Sequence, residues 1–159
     1  MIINVRHAYS DNPSDFSIYT DEKISHFAFI GKKIRLFDKD GNNLIKKIKA
    51  TALGKKLFVF EGKKKSIKIT KYRDSAKNIY YGILPKDKNF VYRVQIFQRD
   101  AKEYILFTLD KKFVGAAVSD SEMSLYKLYV KDSEKELAKY FLPFILYYVK
   151  AKKLNKKPN

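Results

Sequence analysis

The chain has 159 residues, one domain's length, and its 45% apolar content with 12 Tyr and 12 Phe supplies a core, which excludes disorder over most of it. With no Cys, disulfide scaffolds, zinc–thiolate sites, iron–sulfur clusters and thiol catalysis are excluded. The 34 Lys+Arg against 17 Asp+Glu give a net charge of +17, which points to an anionic partner; five are Arg (Arg6, Arg35, Arg73, Arg93, Arg99), and the Lys-rich remainder also fits a plain compositional bias.

In chain order the sequence reads as short runs rich in Ile, Val, Phe and Tyr, separated by turn residues. They cover 2–9, 16–20, 24–30, 33–38, 43–49, 56–61, 66–72, 78–84, 90–98, 103–109, 112–118 and 125–131, about twelve strands. Several alternate with period two. Ile67 and Ile69 oppose Lys68 and Thr70; Tyr92, Val94 and Ile96 oppose Arg93 and Gln95; Tyr126, Leu128 and Val130 oppose Lys127 and Tyr129. Such alternation means one buried and one wet face, as in an antiparallel sheet or barrel wall. Asp40-Gly41 with Asn42-Asn43, Glu61-Gly62 and Asp110 before two lysines supply turns. No helical pattern separates the strands, so parallel βαβ units are not expected.

After Asp132 the character changes. Ser133 and Glu136 have capping-box spacing, and Lys150, Lys152 and Lys153 suit a helix C-terminus, which predicts a helix over about 133–152. Its middle, 137–149, is apolar apart from Lys139, in almost every direction around the axis. A helix hydrophobic all round is buried on all sides, and in a mainly β chain the interior of a closed barrel offers that burial. The other arrangement lays the helix across an open sheet with Tyr140, Tyr147 and Tyr148 half exposed. Pro143 is expected to kink it or to leave a carbonyl unpaired. At ~1.5 Å per residue this run spans about 20 Å, short of the ~30 Å hydrocarbon layer. With no secretory signal, myristoylation or prenylation pattern, the expected location is cytoplasmic, with peripheral contact at the inner membrane face. The expected organisation is one domain over 1–152 and a basic disordered tail over 153–159.

The charge is unevenly placed. Residues 1–30 carry −2, 31–73 carry +12, 74–149 carry +2, and 150–159 carry +5. A general preference for Lys does not leave 74–149 nearly neutral, so the pattern predicts an electropositive face. The candidate anion- or lipid-binding residues are Lys55, Lys56, Lys63, Lys64, Lys65, Lys71 and Arg73, with help from Lys152 to Lys157. In a hairpin Lys55 and Lys56 fall at one end and Lys63 to Lys65 one strand length away. Aromatics interleave with bases at 56–60 and 79–81, which also suits single-stranded nucleic acid. Against that, Arg is scarce and no RNP pattern is present.

Other chemistry is thinly signalled. Asp38 to Asn43 looks like a calcium loop, but Gly41 is its fourth residue, and Lys49 and Ala50 stand where the closing acid belongs; a hairpin turn is expected instead. His7 and His26, the only histidines, lack partners at metal-ligand spacing. No G-x-S-x-G, P-loop or G-x-G-x-x-G occurs, so neither enzymatic activity nor a cofactor is expected.

Two hairpins carry a family resemblance. In 34–48, Ile34, Leu36 and Phe37 run into Asp38-Lys39-Asp40-Gly41 and return through Leu44, Ile45 and Ile48. In 104–118, Tyr104, Ile105 and Phe107 turn at Asp110 and return through Phe113 to Val118. A Y-x-L-x-V strand from Tyr126 to Val130 and the apolar helix follow. This order resembles the tubby C-terminal, LURP-one-related and phospholipid scramblase superfamily in its short bacterial form. The resemblance implies a closed barrel around a central helix and a membrane-associated, non-enzymatic role. The overall expectation is a mainly β, roughly twelve-stranded antiparallel closed barrel that binds anionic phospholipid headgroups. The rival expectations are a nucleic-acid-binding barrel or an interaction protein without an anionic ligand.

Overall fold

The computed structural model describes residues 1–8, 15–51, 55–119 and 125–155, with side chains as far as Lys152. Twelve strands follow in order: β1 (Ile2–His7), β2 (Phe16–Thr20), β3 (Lys23–Ile30), β4 (Ile34–Asp38), β5 (Leu44–Ala50), β6 (Lys56–Glu61), β7 (Lys64–Arg73), β8 (Ile79–Pro85), β9 (Tyr92–Arg99), β10 (Lys102–Leu109), β11 (Lys112–Ser119) and β12 (Tyr126–Tyr129). Each pairs antiparallel with its neighbours in sequence, and β1 pairs with both β2 and β12, so the sheet closes into a barrel without an edge. The expected strands agree with these to within a few residues; Tyr9, expected in the first, lies outside the described residues.

The alternation read from the sequence is the alternation of the wall. Ile67, Ile69, Tyr92, Val94, Tyr126 and Leu128 are buried inside, while Arg93, Gln95 and Tyr129 face out. Turns use the left-handed backbone that two-residue hairpins need. Gly62 takes φ 63° after Glu61, but Asp100-Ala101 and Asp110-Lys111 adopt positive φ without a glycine.

The C-terminal helix, α1 (Ala138–Asn155), starts later than expected, after a 3-10 turn at Asp132–Leu137. The capping box does not form: no side chain caps this turn, and Glu134 leaves helical geometry at φ −128°. The cause is an anchor at the turn's start. The Met1 ammonium bonds Asp132 Oδ1 (2.7 Å) and the Val130 carbonyl (2.8 Å), which ties the chain to the barrel rim before it swings inside. The structure also carries the helix past the expected end, to Asn155.

Seven consecutive residues, Tyr140 to Leu146, are buried, close to two full turns. The helix is therefore enclosed by the barrel rather than laid across an open sheet. Phe141 stacks on Phe107 (4.2 Å between centroids), and Phe144 meets Tyr81 edge-on (4.9 Å). Burying each such side chain contributes about 2 kcal/mol. The wall accommodates Phe141 at Gly115, where an added Cβ would stand 3.0 Å from Phe141 Cε2.

Topology gives the barrel two ends. The β2–β3, β4–β5, β6–β7, β8–β9 and β10–β11 turns and the 3-10 turn lie at the entry end, where α1 begins. The remaining connections lie at the exit end, where α1 leaves.

Candidate anion-binding wall

Residues 31–73 build four consecutive strands, β4 to β7, about one third of the barrel's circumference. Inward positions go to Ile34, Leu36, Ile48, Leu57, Val59, Ile67 and Ile69. The intervening positions face out, and register sets them side by side. One cross-strand row runs Phe29, Arg35, Lys47, Phe60, Lys65 over β3 to β7. The next runs Lys49, Phe58, Lys68, Leu84 over β5 to β8.

The two rows interlock through their rings. Lys65 Nζ lies 4.4 Å from the Phe58 ring centre and Lys49 Nζ 5.2 Å from that of Phe60, while the Arg35 guanidinium lies 5.5 Å from Phe29 and 5.9 Å from Phe37. These cation–π contacts hold the charged groups over the rings on the outer face of the wall. The cations crowd one another: Lys33, and then Lys47, hold the Lys49 ammonium below the ordinary lysine range. A bound anion relieves that repulsion.

The three acids of this stretch sit at the entry-end turns. Asp38 accepts from Asn42 N–H (3.1 Å) and from Asn43 Nδ2 (2.8 Å); these bonds, that from the Asn43 side chain foremost, keep its carboxyl below the usual range. Glu61 lies 3.7 Å from Lys46. Asp40 lies exposed beside Gly41 at the tip of its turn.

The structure divides the expected site residues between the two ends. Lys55, Lys56, Lys71 and Arg73 lie at the exit end, where Lys71 N–H donates to the Lys55 carbonyl (2.9 Å). Lys63, Lys64 and Lys65 lie at the entry end. Arg35, Lys47, Lys49 and Lys68, which the sequence reading left out, occupy the wall between them. Their signal was the alternation within β4, β5 and β7. Lys152, expected at the end of the helix and to help binding with the tail lysines, is instead paired with Glu103 inside the barrel; Lys156 and Lys157 lie outside the described residues.

Two polar devices form inside the barrel; the sequence marked the carbonyl that Pro143 leaves without its N–H, but neither the lysine that satisfies it nor the second device. Pro143 has no N–H to give the Lys139 carbonyl, and the Lys46 ammonium, 8% exposed as a residue, donates to it instead (3.0 Å). α1 therefore runs through Pro143 with that carbonyl satisfied. Burial holds the Lys46 amine below its ordinary range, with Glu61 offsetting part of the effect. At the exit end Glu103, 6% exposed, accepts from the Tyr126 hydroxyl, from the Tyr148 hydroxyl (2.7 Å) and from Lys152 Nζ (2.7 Å). Burial raises its carboxyl, but these three donors outweigh burial and leave it below the usual range. Burial, and then the bond to Glu103, push the Tyr126 and Tyr148 hydroxyls up.

Burial, and then Lys46, lower the His26 imidazole, whose Nδ1 lies 2.9 Å from Ser25 Oγ; His7 rests on the Phe16 ring. Among the described residues no three His, Asp or Glu side chains are grouped to hold a metal ion. Among them no helix is long and apolar enough to cross a membrane. Comparison of the chain with family models, with curated proteins and with solved structures gave no match.

Proposed function

We propose that this protein is a non-enzymatic binding module that associates peripherally with an anionic phospholipid surface through the outer wall of β4 to β7. The observation that carries this reading is the pair of cross-strand rows, where Arg35 of β4, Lys47 and Lys49 of β5, and Lys65 and Lys68 of β7 flank Phe58 and Phe60 of β6, with the acids of this stretch withdrawn to the entry-end turns. Lysine ammonium groups are compact point charges that fit phosphate oxygens without demanding one geometry. Each basic group close to an anionic membrane contributes about 1 kcal/mol, screened by salt. The resemblance to the tubby and scramblase superfamily belongs to the same reading, and the twelve-stranded barrel around one helix supports it. The inner membrane face is the location that follows.

Single-stranded nucleic acid is the rival occupant, since Phe58 and Phe60 stand among the cations. Lys65 and Lys49 already lie against those rings, which leaves bases less room to stack. Co-sedimentation with phosphatidylglycerol vesicles tests the proposal: pelleting at low salt that reverses at high salt is expected. No pelleting at low salt removes it. Tight salt-dependent binding of a single-stranded oligonucleotide by a chain that ignores vesicles replaces it with the rival.

A further inference from the structure

The barrel wall opens between β8 and β9 at the exit end. β7 and β8 stay paired to Arg73↔Ile79, and β9 and β10 to Arg99↔Lys102, both at the exit end. Between β8 and β9 the ladder stops at Tyr81↔Val94. Beyond it Ile79 and Tyr80 diverge from Gln95 to Arg99, and the gap forms an open cleft of ≈ 640 Å³. Ile96, Tyr81 and Tyr148 line it, and Ile79 (44% exposed) and Phe97 (43% exposed) form an apolar rim. Lys71 and Lys77 stand at its mouth. The carboxylate there, Asp74, is engaged by its own turn, accepting from Asn78 N–H (2.8 Å) and Asn78 Nδ2 (3.4 Å).

We propose that this cleft binds one molecule of an anionic amphiphile, with a carboxylate or phosphate against Lys71 and Lys77 and its chain along Ile79, Ile96 and Phe97. A wholly polar ligand leaves the apolar rim in water, and a neutral apolar one leaves two cations without a counter-charge. A ligand with both parts satisfies both edges. A second apolar hollow makes the contrast. On the wall of β10 to β12 and β1, Ile2, Tyr129, Ala116 and Leu106 form one cross-strand row beside Phe113 (66% exposed), lining an open groove of ≈ 540 Å³. Lys131 is the one charged side chain in that lining. The cleft takes Lys71 from the exit-end part of β7 but none of Arg35, Lys47, Lys49, Lys65 and Lys68, so this inference goes beyond the proposed function, and the two can fail separately.

The chain contains no Trp, so a single introduced indole reports its own surroundings. Phe97→Trp, with Ile79→Trp as a second reporter, is titrated with oleate below its micelle concentration and separately with phosphatidylglycerol vesicles; Phe113→Trp is the control. A saturable blue shift from either cleft reporter with one oleate per chain, and none from the control, is expected. Adding Lys71→Glu with Lys77→Glu weakens oleate binding at least about tenfold. Oleyl alcohol, lacking the charge, gives no saturable shift. Response to vesicles as well as oleate marks phospholipid as a source, and response to oleate alone marks free fatty acid; both uphold the cleft. Silence of both cleft reporters toward both probes overturns it, as does a stronger response from the control variant. Vesicle pelleting with silent reporters leaves the wall and removes the cleft, while the opposite pattern does the reverse.

Discussion

The Lys46 ammonium replaces the backbone N–H that any residue but proline would supply at position 143. Removing it leaves the Lys139 carbonyl unpaired inside the barrel, so Lys46→Met is expected to cost about 2 kcal/mol in urea unfolding. Pro143→Ala restores an N–H at the position that feeds that carbonyl. In its background the cost of Lys46→Met falls by about 1 kcal/mol; a cycle with no coupling contradicts this account. Glu103 joins β10, β12 and α1 through three donors, and Glu103→Ala is expected to cost about 3 kcal/mol, since it strands Lys152 and two hydroxyls. Its carboxyl titrates lower in the folded chain than at the unfolded value of about 4.3. Its contribution is thus complete above the unfolded value and disappears as pH falls through the folded one. The difference in melting temperature between the native chain and Glu103→Gln therefore narrows as pH drops from neutral into that range.

At the scale of elements, the helix and the turns show two kinds of local rule. Burial in every direction placed α1 within the wall, and an introduced charge has no exit there. Ile145→Lys, at a position 0% exposed, is expected to abolish cooperative melting, by about 4 kcal/mol or more; a normal transition contradicts enclosure. The Asp100-Ala101 turn keeps Ala101 at φ 63°, where a Cβ is strained. Ala101→Gly is expected to raise stability by about 1 kcal/mol in the same unfolding assay. The Ser133 to Glu136 pattern had the right spacing for a cap, yet the Met1 ammonium on Asp132 fixed the chain in a tighter turn. A cap is a local preference, and a tertiary anchor 131 residues away along the sequence overrode it.

At the scale of the molecule, the acids of the described residues are sorted by end. Asp21, Glu22, Asp38, Asp40, Glu61, Asp87 and Asp110 occupy entry-end turns, and Asp132, Glu134 and Glu136 the 3-10 turn beside them. Among the described residues the exit end holds Asp15, Asp74, Asp100 and the already paired Glu103. Among the described residues the positive charge therefore leans toward the β4 to β7 wall and the exit end. Reversing three wall charges, Lys47→Glu with Lys49→Glu and Lys68→Glu, should weaken vesicle binding by about a hundredfold in low-salt co-sedimentation. The three face outward, so the folded barrel stays intact in far-UV circular dichroism; undiminished vesicle binding contradicts the wall.

The twelve strands, the inward identity of Ile67, Ile69, Val94 and Leu128, and the enclosure of α1 were all legible in the chain. They rest on period and composition, which are properties of neighbouring residues. The concentration of charge in 31–73 was legible too, and because a meander keeps successive strands adjacent, a run along the sequence became a patch in space. Which lysine of the Lys46-Lys47 pair turns inward was not legible, because a bulge between Leu36 and Phe37 shifts the register of β5 on β4. The bond from Lys46 to Lys139, the gathering of Glu103 with Tyr148 and Lys152, and the parting of β8 from β9 join residues far apart along the chain or depend on where a ladder stops. Such contacts exist only once the barrel has closed, and no local pattern encodes them.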